Sequence, residues 1–128
     1  MRMSATEDQE QSALFERIAR SVTQIPELSL LFHIPNGGYR SPRTAAALKK
    51  QGVQPGVPDL FLPVPCGVFH GLWIEMKRTD ARPSDTKPVQ LDWHKRLVVR
   101  GYRVDVCKGW EAAWAVLTEY LSERNSNV

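Results

Sequence analysis

Long apolar runs are missing from this chain. No segment approaches the roughly 18 consecutive apolar residues of a membrane-spanning helix, and the opening MRMSATEDQEQ lacks the apolar stretch of a secretory leader. A cytoplasmic protein, away from membranes, is the expectation. Cysteine is scarce: Cys66 and Cys107 stand far apart with no second pair, which argues against a disulfide scaffold or a thiolate metal site and for two small packing residues. Charge of one sign does not dominate either. Lys and Arg total 17 against 14 Asp and Glu, a formal net charge of +3, which permits an anionic partner without demanding one. Internal repeats and low-complexity tracts are also absent. The remainder is ordinary for a soluble globular chain: 42% hydrophobic and 24% charged residues over 128 positions suit one compact domain rather than two cores of similar size. That domain is expected over 1–121, with 122–128 a flexible tail.

Periodicity lays out the elements. Leu14, Ile18 and Val22 recur at every fourth position with Phe15 and Ala19 beside them, predicting a helix from about Glu7 to Gln24 with Thr6 as N-cap. Pro26 closes it. LSLLFHI, from Leu28 to Ile34, has the composition of a buried strand, or of a turn leading into one, and Asn36-Gly37-Gly38 ends it. A short helix is expected over TAAALKK, with Pro42 near its start and Gly52 as its stop. DLFLPV and FHGLWIEMK read as two strands of a hairpin. Pro88 to Arg100 follows as a helix with Leu91, Lys95 and Val98 set against a polar face; YRVDVC is a further strand. GWEAAWAVLTEYL is a final amphipathic helix with Trp110, Trp114, Leu117 and Leu121 on one side. The order α, β, α, β, β, α, β, α makes an α/β domain around a mixed sheet of about four strands flanked by helices.

Along Leu72 to Lys77 the side chains alternate, so Leu72, Ile74 and Met76 point one way and Trp73, Glu75 and Lys77 the other. Charge in so apolar a strand is costly unless it is paired, holds a metal or faces a ligand cleft. Asp59 opens the preceding strand, and the hairpin would carry its carboxylate toward Glu75. Two carboxylates and one ammonium suit divalent-metal hydrolysis of a phosphodiester: carboxylate oxygens hold Mg²⁺ or Mn²⁺, and Lys77 positions the attacking water or stabilises developing charge. Glu75-x-Lys77 by itself reads as a charged pair on a half-exposed strand. Gly-Val-Pro-Asp on the neighbouring strand shifts that balance.

Gly56-Val57-Pro58-Asp59-Leu60, then Ile74-Glu75-Met76-Lys77-Arg78, then Pro88-Val89-Gln90-Leu91-Asp92-Trp93, in this order and spacing, resemble the VRR-NUC family of the PD-(D/E)XK nuclease superfamily. The likeness spans nearly the whole chain, since Phe32 to Gly38 and the acidic first helix also fall in that family's order. It implies a restriction-endonuclease-like core and a Mg²⁺- or Mn²⁺-dependent nuclease. By the same resemblance Asp59 and Glu75 are metal ligands with the Met76 main-chain carbonyl as a third, Lys77 is the catalytic lysine, and Gln90 faces the active site. The first helix should add an acid, Glu7 or Glu10. Glu7 lies towards the middle of the Leu14 stripe and Glu10 at its edge; Glu10 is preferred because a metal-facing acid sits at the rim of a packed face. An acidic first turn complementing the helix dipole is the alternative for both.

The three histidines have no metal-binding spacing. His33, beside the Asn-Gly-Gly turn, is a candidate for touching the site or DNA, and His70 and His94 are expected to face solvent. Arg40, Arg43, Lys49 and Lys50 precede Asp59, while Arg78, Arg82 and Lys87 follow Lys77, a distribution suited to tracking phosphates; Tyr39 could stack on an unpaired base. Arg82 and Lys87 read equally well as a solvated loop. With no residues left for a base-reading module, a structure-specific DNA endonuclease is expected. Stand-alone members of the resembled family imply branched DNA, four-way (Holliday) junctions, as substrate. Two symmetric cuts need two active sites, hence a homodimer. The alternatives are a monomeric flap or nicking nuclease and, from another class, a non-catalytic nucleic-acid-binding module.

Overall fold

The structure, a computed structural model, describes residues 4–35 and 41–122. Helix α1 (Glu7–Ala19) opens on Thr6, whose Oγ1 accepts the Gln9 N–H while Gln9 Oε1 accepts the Thr6 N–H, so two donors that a helix start leaves orphaned are satisfied reciprocally. It stops at Ala19, short of Gln24. Ser21 Oγ donates to the Arg17 carbonyl and residues 20–24 turn away, although Val22 still packs on the core. The apolar run after Pro26 is mainly a 3₁₀ turn, Pro26–Leu30, closed by Ser29 Oγ on the Pro26 carbonyl, and only Phe32–His33 forms strand β1. Helix α2 (Pro42–Lys50) has Ser41 as its cap and is followed by Gly52 at φ +99°, a conformation that suits glycine.

Strand β2 is Leu60–Leu62, β3 is Leu72–Lys77, helix α3 is Pro88–Val99, β4 is Arg103–Lys108 and α4 is Trp110–Ser122. The sheet runs β1-β2-β3-β4, antiparallel across the first two pairs and parallel between β3 and β4, which α3 connects. It is the mixed four-stranded sheet flanked by helices that the sequence implied. Leu60, Leu62, Leu72, Ile74 and Met76 are buried with Leu14 and Ile18 of α1 and Leu117 and Tyr120 of α4 in one core. Tyr120 Oη, fully buried, donates to the Val64 carbonyl at 2.6 Å. Cys66 and Cys107 are buried, and burial pushes the Cys107 thiol up to about 12, in keeping with packing residues.

Helix α3 departs from expectation in a way that bears on function. Leu91 and Val98 are exposed at 47% and 55%, and Leu97 is the residue it buries. Gln90, Trp93, His94 and Leu97 are the less exposed positions, at the spacing of one helical face. That face carries polar residues because it covers the charged end of β3. Trp93 Nε1 donates to the Pro55 carbonyl. Gly56, at φ +89°, meets the start of α3 so closely that a Cβ there would lie 2.8 Å from the Val89 carbonyl oxygen. The Gly-Val-Pro-Asp loop is thereby docked on α3. Among the described residues no helix is long and apolar enough to cross a membrane. Helix α4 reaches Ser122, and the rest of the expected tail, 123–128, lies outside the described residues.

Candidate active site

Leu60 pairs with Ile74, and carrying that antiparallel register back one residue sets Asp59 opposite Glu75. Asp59 Oδ2 accepts the Met76 N–H at 2.7 Å, which fixes the carboxyl against β3. Its carboxyl lies beside that of Glu75, close enough for the two to interact through a shared proton. Glu75 and Lys77 lie on the α3 side of β3, where Lys77 Nζ donates to the Asp85 carbonyl at 3.1 Å and to Gln90 Oε1 at 3.3 Å. Gln90 is held in turn, because the same Oε1 accepts the Lys87 N–H at the start of α3. The structure therefore brings Asp59, Glu75, Lys77 and Gln90 together.

Burial raises every carboxyl of this group. Asp59 is pushed from its ordinary 3.8 up to about 7, by burial first and then by the hydrogen bond to Glu75 and the charge of that group. Glu75 is raised by burial, with the Asp59 hydrogen bond and the Lys77 charge pulling the other way. Glu7 is raised too, by burial and by the charges of Asp59 and Asp8, against the attraction of Lys77. With Asp59 raised to about 7 and Glu75 raised beside it, the pair resists carrying two negative charges around neutral pH. A divalent cation competes for the same oxygens. Among the described residues no three acidic or histidine groups already converge at ligand distance. The donor set still fits a hard ion: the oxygens are carboxylates, and Glu75 Oε1 is buried without a hydrogen-bond partner. Asp59 and Glu75 would hold the ion, with Glu7 facing it.

Two adjoining cavities form the groove over this site. One, of about 450 Å³, is lined by Glu7, His33, Asp59, Met76 and Arg78 among others. The other, of about 380 Å³, is lined by Lys77, Lys87 and Gln90, and shares Glu7 and Arg78 with the first. No family model matches this chain, and no curated protein does. Among solved structures, a chain described as "VRR_NUC domain protein" is similar to it with a TM-score of 0.75 and 29% identity, over 94% of this chain and 91% of that one. The chain is therefore similar to a VRR-NUC domain in fold and in sequence over nearly its whole length.

The acid of α1 that lines the groove is Glu7, where the sequence preferred Glu10. Glu10 is buried at 7% exposure, and its Oε1 accepts the Trp110 N–H at 3.1 Å, capping α4 from the far end of the chain. Angular position on α1 was a poor guide because both residues lie on the inner face. Axial position decides: Glu7, one turn nearer the helix start, projects into the groove, and Glu10 is level with the α4 terminus. Two variants separate the roles. Glu10→Gln is expected to lose about 1 kcal/mol of stability in urea denaturation with cleavage little changed. Glu7→Gln should keep its stability and cleave roughly 10- to 100-fold more slowly.

His33 lines the larger cavity, its Nδ1 3.0 Å from the Asp59 carbonyl oxygen, so it touches the site as the sequence allowed. Arg78 lines both cavities and pairs with Asp80 at 3.2 Å. Arg43, Lys49 and Lys50 are exposed on α2 and line neither cavity, while Tyr39 and Arg40 lie outside the described residues. His94 does not face solvent. Its side chain is 12% exposed and turned to Glu75, burial lowering its pKa with help from the Lys77 charge. The signal that could have found it is its place one helical turn after Gln90.

Proposed function

We propose that this chain is a Mg²⁺- or Mn²⁺-dependent DNA endonuclease that recognises branched structure, acting on four-way junctions as a homodimer. The observation that carries the nuclease reading is the Asp59–Glu75 carboxyl pair with the Lys77 ammonium beside it in one groove. A pure binding module gains nothing from two carboxyls set where a phosphate must come, since they repel it unless a cation intervenes. A divalent ion bound there supplies Lewis-acid chemistry, acidifying water and offsetting charge on the phosphate.

The chain's own residues do the rest. Asp59 is held in place by the Met76 N–H, and the Met76 carbonyl is the further oxygen we assign to the ion. Lys77, held by Asp85 and Gln90, spends two of its three ammonium protons on those partners and presents the third for the attacking water or the phosphate. Arg78 offsets backbone charge where the two cavities meet. We assign duplex-arm contacts to Arg43, Lys49 and Lys50, with Tyr39 and Arg40 at the branch; such contacts follow phosphates and weaken with salt. The test is cleavage of four-way, flap and nicked DNAs with Mn²⁺, together with gel filtration. A dimer making paired cuts in the four-way junction is the expected result. A monomer that cuts flaps and spares junctions contradicts the resolvase assignment, and binding without cleavage under either ion contradicts the enzyme.

A further inference from the structure

Glu75 Oε1 and His94 Nε2 are both buried, both without a hydrogen-bond partner, and 3.5 Å apart. Buried polar atoms almost always find a partner, so two orphans face to face call for a reason. The spacing of α3 against β3 supplies one. Gln90 meets Lys77; four residues further along α3, His94 meets Glu75, two residues back along β3. Four helical residues advance about 6 Å and two strand residues about 6.6 Å, so one turn of α3 is in step with one same-face repeat of β3. Each inward polar residue of α3 therefore stands over one charged residue of β3.

We propose that His94 is a positioning residue for Glu75, its Nε2–H held toward Oε1 so that the other carboxyl oxygen stays turned to Asp59. Oε1 is the oxygen left without a partner on the His94 side, which leaves the other oxygen free to face Asp59. The inference rests on the nuclease reading and deepens it: Gln90 orients the ammonium and His94 orients the carboxylate. Partners of this kind, one step removed from an ion, fix the rotamer of the group that holds it.

The test compares His94→Leu, His94→Gln and His94→Asn with wild type, measuring Mn²⁺ affinity from the electron paramagnetic resonance signal of free Mn²⁺, and kcat and KM on a cleaved DNA. His94→Leu is expected to weaken Mn²⁺ binding roughly 10- to 100-fold and lower kcat at a fixed Mn²⁺ concentration, with KM for DNA unchanged. His94→Gln, which reaches Glu75 with an N–H, should restore most of the affinity, and His94→Asn, too short, should not. If the leucine variant fails to fold, the Gln and Asn pair carries the comparison. Wild-type Mn²⁺ affinity in the leucine variant, or equal losses in Gln and Asn, overturns the role of His94 alone. Wild type that takes up no Mn²⁺ overturns the ion site itself, and this proposal with it; Asp59→Asn, run alongside, marks the level of a lost site.

Discussion

Lys77→Ala is expected to slow DNA cleavage about 10³-fold, the scale of removing one preorganised charge from a water-poor catalytic site. DNA affinity, carried by many phosphate contacts, should change by less than roughly threefold. Lys77 as a whole is only 7% exposed, so its field at the groove is weakly screened. Lys77→Arg is expected to rescue little. Nζ sits 3.1 Å from the Asp85 carbonyl oxygen and 3.3 Å from Gln90 Oε1, a seat sized for a compact point charge, and a planar guanidinium would have to push past both. Single-turnover cleavage with saturating Mn²⁺ reads the chemical step directly. A Lys77→Ala rate within about tenfold of wild type would remove the lysine from the chemistry.

The second large effect has opposite signs for activity and stability. Asp59→Asn should abolish cleavage yet stabilise the ion-free protein. Asp59 titrates near 3.8 when unfolded and at about 7 when folded, so between those values the native state binds more protons than the unfolded one. Stability from this group is fully present below the lower value and is lost as pH rises toward the upper one. Asparagine carries no charge, can still accept the Met76 N–H and can donate to Glu75. In chelator, the variant should match wild type near pH 4 and exceed it above pH 7, by on the order of 2 kcal/mol, or roughly 5 °C in Tm. Mn²⁺ should raise the Tm of wild type and leave that of the variant unmoved. An Asn advantage independent of pH would mean that the Asp59 carboxyl is not held protonated.

Much of the site was legible because strand alternation is rigid arithmetic. Glu75 and Lys77 had to share a face of β3, and a hairpin that ends Leu60–Leu62 against Leu72–Lys77 had to bring Asp59 alongside. Gln90 followed from its motif. Helix-based inferences fared less well, for a physical reason: periodicity names the face of a helix, whereas function depended on where along the axis a residue stood. Glu7 and Glu10 share a face, and only the α4 terminus beside Glu10 tells them apart. On α3 the apolar residues Leu91 and Val98 suggested the wrong inner face, because the true one covers charged groups and is itself polar at Gln90 and His94. The short Phe32–His33 strand was hidden in a longer apolar run whose first half Pro26 and Ser29 bend into a turn.

Anomalous diffraction from a crystal soaked in Mn²⁺ tests most directly whether Asp59 and Glu75 jointly hold a cation. A peak about 2.2 Å from an oxygen of each carboxylate, with Glu7 facing it and Lys77 on its far flank, is the expected result. A strong peak elsewhere, with Asp59 and Glu75 still sharing their proton at pH 8, would contradict it.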